Sequence, residues 1–254
     1  MSRESLTIDF EKQTQFYEGE SSSYVRALVV GEPGSGKTHF AGTFPEPYFL
    51  DCDKGLATLS GLRVPYFSIE YGQEASRIAM LLLAKLNRRE PPFENTQTFI
   101  LDSLSALSNL MEVELAKYPR EEASGTKEVM SLPDFRVHRR RMLNIVTSLM
   151  RLSEKMNVVV TANVEYDKDE LFGRILEVPS VAGRKLPMEL GRYFDEIYRL
   201  SYDSKEEQWI MNTKPTRFFP MAKTRRHIPD NIVDPSYEKL KTYIVGEGEK
   251  APLG

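Results

Sequence analysis

One eight-residue segment limits what this chain can fold into more than any other feature of its sequence. Residues 31–38 read Gly-Glu-Pro-Gly-Ser-Gly-Lys-Thr and match the pattern G-x-x-x-x-G-K-[ST]. An apolar run over 25–30 predicts a buried strand before the segment, and a helix is predicted over 36–43. Glycines let successive backbone N–H groups approach a phosphate closely, and the first turn of a helix adds free N–H donors. The pattern therefore predicts a phosphate-binding loop, against the alternative of an ordinary glycine-rich turn.

The side chains of this loop have distinct expected tasks. Lys37 is expected to reach the β- and γ-phosphates of a nucleotide and to act in catalysis, and the Thr38 hydroxyl is expected to bind Mg²⁺. The candidate nucleotide-binding residues are Gly31, Glu32, Pro33, Gly34, Ser35, Gly36, Lys37, Thr38 and His39.

A second apolar run, over 98–101, ends in the carboxylate of Asp102. At the carboxyl end of a buried parallel strand this carboxylate is expected beside the phosphate-binding loop, where it can hold a Mg²⁺-bound water. Thr38 and Asp102 are thus the candidate metal residues, and Asp102 is also a candidate catalytic residue. The alternative for Asp102 is a strand-end residue that only turns the chain.

Strand and helix patterns alternate along most of the chain, which predicts an α/β fold. The sheet is expected to be mostly parallel and sandwiched by helices, with a short antiparallel extension near the C-terminus. Predicted strands cover 25–30, 48–51, 66–69, 98–102, 158–162, 194–200, 208–212 and 217–221. Predicted helices cover 36–43, 73–86 and 235–244, with a longer one capped by Asp134 and running to 156. Two polar stretches, 118–133 and 166–185, are predicted to be long loops that are either functional or disordered.

The charge balance narrows the classes of partner. With 34 Lys+Arg against 37 Asp+Glu the net charge is −3, so a nucleic-acid contact must come from a local basic patch. A single cysteine excludes an internal disulfide framework, and three histidines with one cysteine cannot build a His/Cys zinc site. The first residues lack the apolar core of a signal peptide, and no apolar run is long enough to span a bilayer. We therefore expect a cytoplasmic protein.

Two further features have competing interpretations. The basic run over 136–141 is either a solvated helix face or a surface for DNA or a neighbouring subunit. Cys52 lies between two aspartates, but no base is evident near it, so a buried structural cysteine is favoured over a nucleophile.

Several other segments resemble the RecA family of P-loop ATPases. Residues 48–53 (YFLDCD) resemble the strand that ends in the catalytic carboxylate, and 100–107 (ILDSLSAL) resemble the Asp-Ser strand. Residues 158–163 (VVVTAN) resemble the strand whose terminal amide senses the γ-phosphate, and 181–185 (VAGRK) the end of the second DNA-binding loop. The segments GRKLP, YFDEIYRL and TKPT are similar to those of the small RadA-related Sak-type recombination ATPases of bacteriophages. The resemblance covers roughly 24–226, between an N-terminal arm (1–23) and a C-terminal helix and tail (227–254).

This resemblance implies roles for residues outside the loop. Asp53 would be the general base, where RecA carries Glu, with Asp51 as the alternative, and Asn163 would stand where RecA has Gln. Asp and Asn are each one methylene shorter than the Glu and Gln of RecA. This difference is expected to affect the rate of ATP hydrolysis more than the affinity for ATP. Lys214 would reach the γ-phosphate of a neighbouring subunit, with Arg217 as its companion.

The resemblance also implies a function. It implies a Mg²⁺-dependent ATPase, slow and stimulated by single-stranded DNA, that forms an oligomer with ATP at the subunit interface. Single-stranded DNA would contact the loops 118–133 and 166–185, the task would be recombination or annealing, and a single-strand DNA-binding protein is an expected partner. If the protein is phage-encoded, it would act in the host cytoplasm. The alternative is an ATP-gated switch or assembly factor that acts on a protein partner. A small-molecule kinase is disfavoured because the arginines at 139–141 lie in a helical pattern rather than a lid.

Overall fold

The computed structural model describes residues 24–116, 130–168 and 173–245 of the 254-residue chain. The predicted arm over 1–23 and the tail over 246–254 lie outside the described residues, as does most of the predicted loop over 118–133.

A nine-stranded sheet forms the centre of the described part of the chain. Its strands are β1 (Arg26–Gly31), β2 (Pro47–Asp51), β3 (Tyr66–Ser68), β4 (Thr98–Asp102), β5 (Asn157–Lys168), β6 (Ile175–Pro179), β7 (Glu196–Asp203), β8 (Gln208–Asn212) and β9 (Asn231–Val233). Their order is β3-β2-β4-β5-β1-β7-β8-β9, and β6 pairs with the outer part of β5. The first six in this order run parallel, and β8 and β9 are antiparallel. The predicted fold class is therefore confirmed.

Helices cover both faces of this sheet. They are α1 (Lys37–Gly42), α2 (Ala75–Asn87), α3 (Leu104–Ala116), α4 (Leu132–Leu152), α5 (Leu186–Glu189) and α6 (Tyr237–Val245), with 3-10 turns at Leu56–Leu59 and Leu190–Arg192. Helices α2, α3 and α4 share one apolar cluster with the sheet, and α1 and α6 share the other. None of the helices in the described ranges is long and apolar enough to cross a membrane.

The central strands bury side chains on both faces. Val30 and Val160 belong to the cluster on the α2–α4 side, whereas Val29 and Val159 belong to the cluster on the α1 side. Successive side chains of a strand point to opposite faces, so a strand covered on both sides is a continuous apolar run in the sequence. This is why β1 could be predicted to within one residue, and why the buried first half of β5 was recognised although its exposed second half was not.

The register brings the carboxyl ends of β1, β2 and β4 to one edge, where β5 continues past them. Gly31 at the end of β1 pairs with Asn163 of β5, and Asp51 at the end of β2 pairs with Asp102 of β4. Strand β5 lies between β1 and β4. Except for Lys214, the residues predicted for phosphate, metal and catalysis therefore lie at the same edge of the sheet.

The start of α4 corrects one prediction. Asp134 was expected to cap this helix, but the helix begins at Leu132 with Ser131 at the N-cap, and it ends at Leu152 rather than at 156. Asp134 acts from inside the first turn, where its carboxylate accepts a hydrogen bond from the Ser131 backbone N–H at 2.8 Å. Ser131 and Asp134 thus form a capping box, which satisfies donors that the helix leaves free.

Two regions, 104–116 and 166–179, contain regular structure that the sequence did not indicate. Helix α3 was missed because buried serines, among them Ser105 and Ser108, interrupt its apolar pattern. Part of the predicted loop over 166–185 is a hairpin, because β5 continues to Lys168 and pairs with β6. The outer half of β5 is exposed and polar, so it lacks the burial pattern on which the prediction depended.

The predicted strand over 217–221 is wrong. Residues 216–219 form a turn, in which the Thr216 backbone N–H donates to the Phe219 carbonyl and the Thr216 hydroxyl accepts from the Phe219 N–H. The Phe219 side chain is buried in the core, which accounts for the apolar signal. The third strand of the antiparallel extension is instead β9, paired with β8.

Candidate nucleotide-binding site

The loop over 31–36 has the backbone geometry of a phosphate-binding loop. Gly34 and Gly36 have φ values of 80° and 87°, which side-chain-bearing residues rarely adopt. A Cβ on Gly31 would lie 2.5 Å from the Leu200 carbonyl oxygen, so the loop also packs closely on β7. Helix α1 begins directly after Gly36, and its free N–H groups therefore face the loop.

Lys37 folds back over this loop. Its ammonium donates hydrogen bonds to the carbonyls of Gly31 at 2.9 Å and Glu32 at 2.8 Å. Burial lowers the pKa of Lys37 to about 8, an effect that the carboxylates of Asp102 and Asp53 oppose. An anion bound in the loop would favour the charged form of this lysine, because opposite charges attract strongly in a buried site.

Thr38 and Asp102 are in direct contact. The Thr38 hydroxyl donates to Asp102 Oδ2 at 2.7 Å, and the Thr161 hydroxyl donates to Oδ1. Asp102 is almost fully buried, which raises the pKa of its carboxyl, while the hydrogen bonds from the two threonines lower it. The structure thus places two hard oxygen donors side by side at the start of α1, and these are donors of the kind that Mg²⁺ prefers.

Asp51 has a structural task in the turn after β2. It is buried, its Oδ1 accepts the Lys54 backbone N–H at 2.8 Å, and its Oδ2 accepts the Ser68 hydroxyl at 3.0 Å. Both carboxylate oxygens are therefore engaged within the fold. Asp51 ties β2 to β3 and to the turn that follows.

Asp53 instead faces the loop. A Cβ placed on Gly55 would lie 3.0 Å from Asp53 Oδ1 and 3.7 Å from Thr38 Oγ1, so both groups border the same small space. The Asp53 carboxylate is exposed and acts electrostatically on Lys37. The absence of a side chain at Gly55 keeps this space open between them.

Asn163 lies within β5, next to the first residue of the loop, at the point where β5 runs past the end of β1. Its backbone N–H donates to the Ser105 hydroxyl at 2.9 Å, and its carbonyl accepts the Ser180 N–H at 2.8 Å. Ser105 belongs to α3, which follows Asp102 directly. Asn163 is thus fixed by its backbone at the edge that also carries Asp102.

A cluster that the sequence analysis missed links the hairpin β5–β6 to the loop. Arg199 of β7 forms a two-point ion pair with Glu177 of β6, with Nε–Oε2 at 2.7 Å and Nη2–Oε1 at 3.0 Å. The same guanidinium lies 3.9 Å from Glu32, whose carboxylate also accepts the Tyr166 hydroxyl at 2.8 Å. These residues are far apart in the sequence, and only the strand register brings them together.

A second missed feature is a small cleft beside α1. Trp209 of β8 lies against the loop, since a Cβ on Gly36 would be 2.8 Å from its ring. The ring is nearly parallel to His39, with centroids 6.4 Å apart, and is tilted against Tyr202 at 5.3 Å. This Trp209 cleft, with a volume of about 150 Å³, is lined by Gly36, His39, Phe40, Leu200, Trp209, Asp234, Pro235 and Ser236.

Lys214 and Arg217 lie apart from this cluster. Both follow β8 and are exposed. Neither forms a hydrogen bond or ion pair with the described residues. The structure therefore does not bring either cation into contact with the phosphate-binding loop of its own chain.

The basic run over 136–141 is neither a uniform solvated face nor a uniform basic surface. His138 is fully buried, and the Arg141 guanidinium pairs with Glu114 of α3. Arg139 pairs with Glu189 of α5, with its shortest N–O distance at 2.6 Å. Half of the run therefore holds α4 to its neighbours.

The first turn of α4 borders a groove that also includes the end of the predicted loop over 166–185. The groove has a volume of about 490 Å³. Its lining combines four cationic side chains with apolar residues. The lining residues are Leu132, Phe135, Arg136, Arg139, Ala182, Gly183, Arg184, Lys185 and Leu186. Leu132 is 81% exposed and Phe135 37% exposed, so apolar surface faces solvent here.

Comparisons with known proteins were made for both sequence and structure. A family model described as "AAA domain" matches residues 23–226. No curated protein sequence matches the chain significantly. Among solved structures, the crystal structure of the RadB recombinase is similar with a TM-score of 0.48 and 18% identity, covering 82% of this chain and 84% of that chain.

Proposed function

Because this chain belongs to the AAA domain family, we propose that it is an ATPase with a RecA-like core, similar to the Sak-type phage enzymes. On this proposal it binds single-stranded DNA and promotes recombination or annealing as an oligomer. The observation that best supports nucleotide binding is the hydrogen bond from the Thr38 hydroxyl to Asp102 beside the phosphate-binding loop, with 2.7 Å between the two oxygens. A hydroxyl and a buried carboxylate are joined there next to the ammonium of Lys37.

The proposed residues fit Mg²⁺ bound together with ATP. Thr38 and Asp102 would hold the ion, Thr38 directly and Asp102 through water. When bound, Mg²⁺ neutralises charge on the β- and γ-phosphates. The loop N–H groups and Lys37 supply the remaining positive potential.

In the proposed reaction Asp53 orients the attacking water and accepts its proton. This carboxylate is exposed at the loop and forms no hydrogen bond or ion pair with the described residues that turnover would have to break. Asn163 of β5 would contact the γ-phosphate, and its fixed backbone limits where its amide can reach. The water would thereby be held between the segment after β2 and β5.

The groove at the start of α4 supports the proposed DNA contact. Arg136, Arg184 and Lys185 supply positive charge beside exposed Phe135, and single strands are bound by cations together with aromatic stacking surfaces. The protein carries a net charge of −3, so such a local patch is needed for the contact.

An oligomer is proposed because the resemblance to RecA assigns Lys214 to a neighbouring site, and its exposed side chain forms no hydrogen bond or ion pair with the described residues of its own chain. In an assembly with ATP at the subunit interface, its ammonium would stabilise charge on the γ-phosphate held by the neighbouring subunit. Arg217, three residues further on, would be its companion. A single-strand DNA-binding protein is the proposed partner, and the host cytoplasm the proposed location.

The test is the ATPase rate with and without poly-dT, with Lys37→Ala as the inactive control. We expect slow Mg²⁺-dependent turnover that poly-dT raises, and no turnover in the variant. Turnover that poly-dT leaves unchanged, with no DNA bound in the presence of an ATP analogue, would favour the alternative of a switch acting on a protein partner. Wild-type turnover in Lys37→Ala would refute the nucleotide site.

A further inference from the structure

The Trp209 cleft is open to solvent and adjoins the phosphate-binding loop. Gly36 belongs both to the loop and to the lining of the cleft, and His39 and Phe40 follow in the first turns of α1. The ribose and base of a nucleotide extend beyond its phosphates, and a Cβ on Gly36 of the loop would lie only 2.8 Å from the Trp209 ring. The cleft therefore lies within reach of the rest of the same ligand.

Trp209 is held in a fixed position at this cleft. Its backbone N–H donates to Asp234 Oδ1 at 3.0 Å, and its carbonyl accepts the Asp234 N–H at 2.7 Å. The Tyr202 ring packs against Trp209 at a centroid distance of 5.3 Å, and the loop backbone at Gly36 packs against the indole edge that carries Nε1. The indole is nevertheless 40% exposed, which leaves part of its surface available to a ligand.

The remaining walls of the cleft suit a flat aromatic ring. Phe40 and Leu200 are fully buried and form an apolar floor, and Pro235 adds a buried, rigid wall. The second carboxylate oxygen of Asp234, Oδ2, forms no hydrogen bond with the described residues. A ring with an N–H group at its edge could therefore stack on the indole and donate to this oxygen.

We propose that the Trp209 cleft binds the purine base of the nucleotide, with Trp209 as its stacking partner and Asp234 as the acceptor for a base N–H. This inference rests on the proposed nucleotide binding and adds the part of the ligand that the phosphate-binding loop does not contact. Stacking of a base on an aromatic side chain contributes to affinity independently of phosphate charge. ATP should therefore bind more tightly than inorganic tripolyphosphate, which has no base to occupy the cleft.

Trp209 is the only tryptophan in the sequence, so its fluorescence reports on this cleft alone. Wild-type protein is titrated with ATP and with inorganic tripolyphosphate, both with Mg²⁺, and binding is measured in parallel by calorimetry. We expect both ligands to bind and ATP to quench the emission strongly. Tripolyphosphate at saturation should produce a smaller change, because it occupies the loop without a base.

Substitutions separate stacking from folding. Trp209→Ala should weaken ATP binding by about tenfold and leave tripolyphosphate binding unchanged, and Trp209→Phe should restore most of the ATP affinity. Phe67→Ala removes a comparably exposed aromatic ring from β3, at the other edge of the sheet, and should leave both affinities unchanged.

The outcomes distinguish this inference from the proposed function. If wild-type protein binds both ligands but Trp209→Ala binds ATP normally, the base site is refuted and the nucleotide site stands. If Trp209→Ala loses both ligands equally, Trp209 is structural, and the base site is likewise refuted. If wild-type protein binds neither ligand, the proposed nucleotide site itself is wrong.

Discussion

The Thr38 hydroxyl donates a hydrogen bond to Asp102 at 2.7 Å, although β5 separates β4 from β1 in the sheet. The contact is formed because α1 lies over the carboxyl edge and directs Thr38 toward β4. Thr38 and Asp102 thus form one pair of oxygen donors, although Asp102 belongs to a strand two positions away from β1 in the sheet.

We expect Asp102→Asn to impair Mg²⁺-dependent turnover more than ATP binding. The amide can still accept from Thr38, but it no longer supplies the negative charge that favours Mg²⁺. ATP hydrolysis is measured over a range of Mg²⁺ concentrations, and ATP binding by calorimetry. Unchanged Mg²⁺ dependence in a folded variant would remove Asp102 from the metal site.

ATP affinity should fall as the pH rises through about 8. Burial lowers the pKa of Lys37 in the free protein to about 8, so above this pH the lysine is neutral before ATP binds. Because ATP favours the charged form, binding must then include proton uptake, and affinity should fall by up to about tenfold per pH unit. Calorimetry between pH 7 and 9.5 tests this, and Lys37→Arg, which stays charged, should show a flatter profile if it binds ATP.

Asp53→Asn should retain ATP affinity within a few-fold and lose most turnover. A positioned general base contributes about 10²–10⁴ in rate. Asp51→Asn is the matched comparison: it disturbs the bonds to Lys54 and Ser68 and should lower thermal stability more than it lowers turnover per folded molecule. Equal loss of turnover in both variants, or loss in Asp51→Asn alone, would contradict the assignment of Asp53.

Single-stranded DNA binding should require ATP and weaken steeply with salt. The expected slope is roughly 0.7 log units per log salt for each phosphate neutralised. Replacing Arg184 and Lys185 together with Ala should flatten this slope while basal ATPase activity persists. Binding that is independent of salt would place the DNA contact elsewhere.

Lys214→Ala should bind ATP normally and lose DNA-stimulated turnover. A cation that reaches a transferring phosphoryl group contributes about 10³–10⁵ in rate. Mixed with excess Asp53→Asn, the variant should regain activity, because each chain supplies the group that the other lacks. Full activity of Lys214→Ala alone, or no rescue in verified mixed oligomers, would assign Lys214 to the surface.

The phosphate-binding loop and the central strands could be predicted because their signals are local. Gly34 and Gly36 mark backbone that other residues rarely adopt, and runs such as 158–162 are buried on both sides. The pairing of Glu177 with Arg199 had no such signal, because it depends on how β6 pairs back along the outer part of β5. Trp209 was missed for the same reason: its neighbour Gly36 is far from it in the sequence.

The antiparallel extension shows a different limit. The apolar residues Phe218, Phe219 and Met221 indicated a short strand at hairpin spacing after β8, but the hydrogen bonds between Thr216 and Phe219 close a turn there. Strand β9 contains only three residues, too few for a sequence pattern.

The ion pair between Arg199 and Glu177 makes the hairpin β5–β6 and the phosphate-binding loop a single mechanical unit. Glu32 in the loop and Glu177 in the hairpin share one guanidinium, and without it two carboxylates would face each other at close range. Beyond β6 the chain runs directly into the segment that carries Arg184. A phosphate that displaced Glu32 would therefore alter the charge around the guanidinium that also holds β6, the strand that precedes Arg184 in the chain.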